Sequence, residues 1–329
     1  MAEAGIWIFG EQARGRILPV TWELLTRGRA LADKRGSRLT AVVFGAQLDR
    51  ADLQEAIERG ADRVLACEAP LLEHFLPEPY AACLMHLIRE ESPEILLGAA
   101  SSTGRTLMPY VAIKADTGLT ADCTELDIET QTGLLLQTRP AIGGNIMATI
   151  KTPQHRPQMA TVRPHSTPPA PRQPGRVGEI VVRRAPPEAL TSRVRRRGFR
   201  PAADENALAE ASRIVCVGRG IKKGEHVALG RRLARALDAA LGGTRDVVDR
   251  GWLEYPAQIG LSGKTVTPRL YIGLGVSGSI QHLAGMQTAE AIVAINTDPD
   301  AMIFKVADFG IVGDLFEVVP ALIKHLEER

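Results

Sequence analysis

Residues 271 to 285 read YIGLGVSGSIQHLAG. The apolar run Leu270–Leu274 leads into Gly273, Gly275 and Gly278 at G-x-G-x-x-G spacing, and Ser279–Gly285 continues with a helix-like pattern. The order therefore predicts a strand, a tight turn and a helix. Glycines in such a turn let the backbone approach a pyrophosphate, and the first helical amides meet its charge at the positive end of the helix dipole. Ser277 adds a hydroxyl donor. A nicotinamide site calls for an acidic residue about 20 positions further on; Asn296 stands there, with Asp298 two residues beyond. That departure counts against NAD. Glycines that only permit tight strand–helix packing are the alternative.

Outward from this turn, strands and helices alternate from about residue 203 to the C-terminus. Ile214–Val217, Leu270–Leu274 and Ala291–Ile295 read as strands; Glu225–Leu241 and Leu315–Glu328 read as helices. The N-terminal part alternates likewise. Gly5–Gly10, Leu39–Gly45, Arg63–Cys67 and Ile95–Ala99 are strand-like, and Trp22–Arg35, Leu53–Gly60 and Tyr80–Glu90 helix-like. The expected fold class is α/β, with two doubly wound parallel-sheet domains covering residues 1–190 and 203–329. Beyond residue 117 the pattern changes to Leu134–Arg139, Ile146–Lys151 and Gln158–Arg163 with no helix between them, which predicts an antiparallel edge or flap. Between Pro164 and Pro187 the chain reads PHSTPPAPRQPGRVGEIVVRRAPP. Its prolines remove donors and disfavour helix, so a linker is expected there, with Glu179–Arg183 as one edge strand. A hinge at this seam would let the second domain swivel. The basic run Arg193–Arg200 reads as a solvated surface.

The totals exclude several classes. A chain of 329 residues exceeds the usual single core, and 40 basic against 38 acidic residues give no field that implies nucleic acid or an anionic membrane as partner. No apolar run approaches the roughly 18 residues of a membrane span. Cys67, Cys83, Cys123 and Cys216 stand far apart without metal-ligand spacing, which suits buried thiols in a reducing compartment. Met1-Ala-Glu-Ala-Gly5 passes straight into Ile6–Phe9, leaving no room for a signal peptide, so cytoplasmic residence is expected.

Residues 214 to 320 resemble the C-terminal domain of the alpha subunit of electron-transfer flavoproteins, a family that includes proteins feeding electrons to nitrogenase. The resemblance runs through Val217–Ile221, Gly243–Asp246, Gln258–Gly260, Ser262–Lys264, Gly275–Gly285, Ile292–Asn296 and Val306–Gly310, ending in Asp314-Leu315. It implies that this domain binds FAD, with Ser277 at the phosphates, Gly278 and Ser279 also binding the cofactor, and Asn296, Asp314 and Leu315 near the adenosine end. Arg219, Gln258 and Gln281 would line the middle of the cofactor, and Thr244, standing where the family usually has Ser, and Ile259 would also bind it. Arg245, Ser262 and His282 would lie nearest the ring. A flavin that carries one electron at a time needs fixed positive charge and donors near its pyrimidine end and N5. Arg245 supplies permanent charge, His282 would donate to the flavin O2 and titrate, and Ser262 would donate to N5. The family has Gln-Thr where Leu261-Ser262 stands, so the flavin's potential does not carry over with its binding.

Gln137–Thr149 and Arg156–Pro164 are similar to the flavin-bifurcating branch of the family. In that branch the beta subunit carries a second FAD, oxidises NADH, and sends one electron to ferredoxin or flavodoxin and the other to the alpha-subunit flavin. Arg139 would lie near that second flavin, a role the alternative reduces, with Asn145, to shaping a subunit-contact turn. The resemblance implies a heterodimer with a beta subunit, serving a dehydrogenase of the acyl-CoA type. A carrier with AMP in the beta subunit, delivering to a quinone reductase or a nitrogenase pathway, is the alternative. An NAD-dependent dehydrogenase and a nucleotide-sensing scaffold are more distant rivals.

Overall fold

The structure is a computed structural model that describes residues 5–141, 146–164, 166–198, 208 and 211–328. Two compact units divide the chain, Met1–Arg197 and Gly198–Arg329.

In the first unit, Ile6–Gly10 and Leu39–Gly45 are buried at every position, as expected of strands covered on both faces. They lie in a seven-stranded, all-parallel sheet ordered Glu179–Arg184, Arg63–Glu68, Leu39–Gly45, Ile6–Gly10, Ile95–Ala99, Gln158–Val162, Leu119–Cys123. Alternate side chains feed two cores. Ile6, Ile8, Leu39, Ala41 and Val43 pack with Leu24, Leu31 and Leu53 of the helices Val20–Arg35 and Arg50–Glu58. Trp7, Phe9, Val42 and Phe44 pack on the opposite face with Tyr80, Leu84 and Leu107, from the helices Pro77–Glu91 and Ser102–Lys114. Where the crossovers diverge, between Ile6–Gly10 and Ile95–Ala99, buried Glu11 accepts a 2.5 Å hydrogen bond from Ser101 Oγ. Ser101 caps the helix Ser102–Lys114 by accepting from the Gly104 amide.

The antiparallel flap is a three-stranded ribbon, Met147–Ile150, Leu135–Pro140, Glu125–Ile128. Gln158–Val162, expected in the flap, instead enters the parallel sheet, because all five of its residues are buried and the ribbon itself serves as its crossover. Asn145 lies outside the described residues. Glu179–Arg184 is the expected edge strand.

The proline-rich segment is not a free linker. Ala170 is buried and its amide donates to Trp22 O, the Gln173 amide donates to Glu58 O, and Arg172 pairs with Glu58. Asp62 accepts from the Leu39 amide at 2.8 Å, Arg29 Nη1 at 2.8 Å and Arg176 Nη2 at 2.7 Å. Burial alone would raise its pKa, yet these donors and the arginine charges hold it below the usual carboxylate value. The expected hinge is therefore misplaced: residues 166–187 belong to the first unit.

The second unit is a five-stranded parallel sheet, Ala240–Gly243, Arg213–Val217, Leu270–Leu274, Ile292–Asn296, Phe309–Val312. In chain order this is 2-1-3-4-5, which puts the topological switch point between the first and third strands. The helix expected over Glu225–Leu241 spans only Val227–Ala236; Asp238 turns at φ +49° and Ala240–Gly243 becomes the edge strand. Phe309–Val312, which carries no burial pattern, is a strand the sequence concealed. Gly273 sits inside a strand, and the helix after the glycine turn is a single turn, Ile280–Leu283.

The remaining glycines serve close backbone approach. Gly275 (φ +60°) would place a Cβ 2.6 Å from Gly220 Cα, and Gly278 (φ +78°) one 2.2 Å from Ile303 N. Substituting Gly278→Ala should cost about 2 kcal/mol or more, because a strained φ coincides with an immovable backbone neighbour; thermal unfolding of the second unit reads it. Replacing Asp62→Ala strands two arginines and an amide, with an expected cost of about 1–3 kcal/mol. Limited proteolysis should then cut near residues 170–176, where the parent chain resists.

Candidate functional site

The carboxyl ends of Arg213–Val217 and Leu270–Leu274 open into a cavity of about 690 Å³. Its walls are the loops at the ends of the strands, the usual place for a ligand in an open doubly wound sheet. Arg219 and Gly220 come from the first loop, Thr244 and Arg245 from the second, Ile259–Ser262 from an irregular stretch, Ser277, Ser279, Gln281 and His282 from the glycine turn, and Asn296 from the fourth loop.

The glycine turn is held by its neighbours, not by a long helix. Gly220 N donates to Gly275 O at 3.0 Å, Ile303 N donates to Ser277 O at 3.1 Å, and Asn296 Nδ2 donates to Val276 O at 2.9 Å. Among the described residues, the amides of Ser277 through Gln281 meet no protein acceptor. A run of free amides bent by left-handed glycines is a concavity for an anion, and it survives without a helix behind it.

Ser262 accepts from Gln258 Nε2 at 3.0 Å, which leaves its own hydroxyl hydrogen to donate elsewhere. Leu261 beside it is 74% exposed, an apolar face at the cavity wall. Arg245 is exposed and tied to Asp249 across 3.2 Å. Asp246 faces Arg250 at 2.9 Å.

His282 departs from expectation. Its Nδ1 lies 3.1 Å from Ile259 O and its Nε2 lies 2.8 Å from Tyr271 Oη, so neither nitrogen is free to donate to a ligand. Burial pushes its pKa down to about 4, leaving the ring uncharged at neutral pH. Fixed positive charge in the wall therefore comes from Arg219 and Arg245.

Five other predicted residues do not line the cavity. Gln258 is buried behind Ser262, and Gly278 packs on Ile303. Asp314 caps the helix Leu315–Glu327 by accepting from the Phe316 amide, and Leu315 is buried in the core. Arg139 is in the first unit, on the ribbon, where its charge acts on Asp122. Asp246, Asp249, Val276 and Ala301 line the cavity unforeseen; their position just past a strand end was the available signal.

Below the unfolded value of 6.5 the unfolded chain takes up a proton that folded His282 refuses until about pH 4. Its contribution to stability is thus full above pH 6.5 and is lost as pH falls toward 4, at up to about 1.4 kcal/mol per unit. Replacing His282→Gln should reduce the stability lost between pH 7 and pH 5 by roughly 2 kcal/mol, as measured by chemical unfolding at the two pH values.

Residues 6–188 match the family model of the electron transfer flavoprotein domain, and residues 207–287 that of the electron transfer flavoprotein FAD-binding domain. The chain is 45% identical to the electron transfer flavoprotein subunit alpha of Thermoanaerobacterium thermosaccharolyticum, over 98% of each. It is 42% identical to protein FixB of Clostridium saccharobutylicum, over 98% of this chain and 96% of the relative. It is 40% identical to the lactate dehydrogenase (NAD(+),ferredoxin) subunit LctC of Acetobacterium woodii, over 98% of this chain and 77% of the relative. With two ordered domains matched and near-complete relatives at this identity, the chain belongs to the electron-transfer flavoprotein family as an alpha subunit, and its C-terminal domain binds FAD.

Proposed function

We propose that the cavity of the second unit is the FAD site and that the free amides of Ser277–Gln281 hold the pyrophosphate, the observation that carries this reading. The donor set fits the group: an amide concavity and Arg219 suit phosphate oxygens, while the Ser262 hydroxyl, the Arg245 guanidinium and the apolar face of Leu261 suit a flat heteroaromatic ring. Bound FAD supplies reversible one-electron transfer between a dehydrogenase and an acceptor. In this reading the chain's residues position and tune. Ser277 adds a hydroxyl at the phosphates, Asn296 braces the turn through Val276, and Arg245 trades Asp249 for the ring. Gln258 orients Ser262 so that its hydrogen points outward. Asp314 and Leu315 support the adenosine end from behind, through the helix cap and the core.

The heterodimer with a beta subunit serves an acyl-CoA-type dehydrogenase, within an NADH-dependent bifurcating complex that passes one electron to ferredoxin or flavodoxin. The relative from Acetobacterium woodii, whose name carries both NAD(+) and ferredoxin, favours that reading, as does Arg139 on a ribbon beside a cluster of charges. The second reading is a simple carrier with AMP in the beta subunit. Four unpaired, buried cysteines accord with a reducing cytoplasm. No helix among the described residues is long and apolar enough to cross a membrane.

Counting flavins in the co-purified heterodimer decides between the readings: two FAD support bifurcation, one FAD with one AMP the simple carrier. For the site itself, Arg245→Ala and Ser277→Ala should each weaken FAD retention about ten-fold or more, the scale of a lost hydrogen bond to a charged group. Absorbance of the desalted protein reads this, and full retention in both variants at unchanged melting temperature would remove the assignment.

A further inference from the structure

Beneath the cavity lies a closed polar cluster that no part of the proposed function uses. Tyr271 and Cys216 are fully buried, on the two strands that flank the switch point, and His282 is 5% exposed. Cys216 Sγ stands 4.0 Å from His282 Nε2, and the Tyr271 hydroxyl 2.8 Å from the same atom. Ile259 O, 3.1 Å from Nδ1, can only accept, so Nδ1 carries the ring proton. Nε2 of the neutral ring is then an acceptor, and the Tyr271 O–H donates to it. His282 and Ile259 touch the cavity; Tyr271 and Cys216 do not.

We propose that Tyr271 is a positioning residue: its hydroxyl fixes His282 as the uncharged Nδ1–H tautomer, so that the imidazole beside the cofactor contributes no titrating charge near neutral pH. The proposal rests on the cavity being the FAD site only for its effect on the cofactor. Charging His282 would force Tyr271 to become an acceptor and turn its own hydrogen toward Cys216, whose sulfur accepts weakly. Burial opposes the imidazolium further, and it also pushes the Cys216 thiol up to about 12 and the Tyr271 phenol well above its ordinary value, so neither supplies a countercharge. Among the described residues the titratable groups bonded to the ring, Tyr271 and Cys216, are thus neutral, and the fixed cations of the same wall are Arg219 and Arg245, the latter paired with Asp249.

The test uses the co-purified heterodimer with ¹⁵N-histidine, before and after removal of flavin, with His282→Gln identifying the signal. Imidazole correlation spectra from pH 8.5 to 5.5 should show His282 as one Nδ1–H tautomer that does not titrate. Changing Tyr271→Phe, nearly the same shape, should mix the tautomers or bring the titration into this range, and should add an inflection to the flavin potential against pH that the parent lacks. A parent His282 that titrates near 6.5 or carries its proton on Nε2 overturns the proposal, even if the variant fails to fold; so does a folded variant with unchanged His282 shifts. Should the spectra agree while the potential profile is unmoved, the tautomer lock stands and the placing of FAD beside His282 fails.

Discussion

Everything in the second unit depends on two loops crossing backbone to backbone. The turn after the first strand touches the turn after the third, with Gly220 N bonded to Gly275 O and Gly218 N to Leu274 O. A Cβ on Gly218 would fall 2.2 Å from Gly275 O, so this approach exists only without side chains. The contact bends the chain after Leu274, and the amides of Ser277 through Gln281 are left without protein acceptors among the described residues. In the proposed function the anion is held by this turn geometry, where a single helical turn could supply little dipole.

The first unit shows how a similar sheet closes the same place. At its switch point the helix cap Ser101 is already bonded to the chain's own carboxylate, Glu11. Burial raises the pKa of Glu11 against the lowering effect of those hydrogen bonds, so the site accepts the group at some cost. One sheet carries its acid internally at the switch point; the other leaves donors without partners. The loops leaving the first strand of each sheet differ accordingly: Gly10-Glu11 in one, Gly218-Arg219-Gly220 in the other.

Within the cavity, charge is divided between groups that cannot titrate near neutrality. Arg219 and Arg245 are permanently cationic, and His282 is kept neutral by burial. A redox cofactor surrounded in this way would see a steady field across the neutral pH range. Leu261 and Ser262 shape the remaining wall, with one polar hydrogen and one apolar face.

The α/β class, most strands and the position of the glycine turn were legible in the sequence, since continuous apolar runs such as Leu39–Gly45 and helix-period stretches such as Trp22–Arg35 are local signals of burial. The family motifs also placed Arg219, Arg245, Ser262, Ser277 and Gln281 around one site. Only the tertiary structure decided the rest. Gln158–Val162 joins the parallel sheet because its partners lie far away in sequence, and residues 166–187 are fastened down by Asp62, Glu58 and Trp22, none of which is local to them. The ring state of His282 was equally hidden, because a histidine's protonation depends on its neighbours in space, here Tyr271 and Ile259, eleven and twenty-three residues away. Periodicity reports how a segment meets water; it carries no record of which distant segment meets it instead.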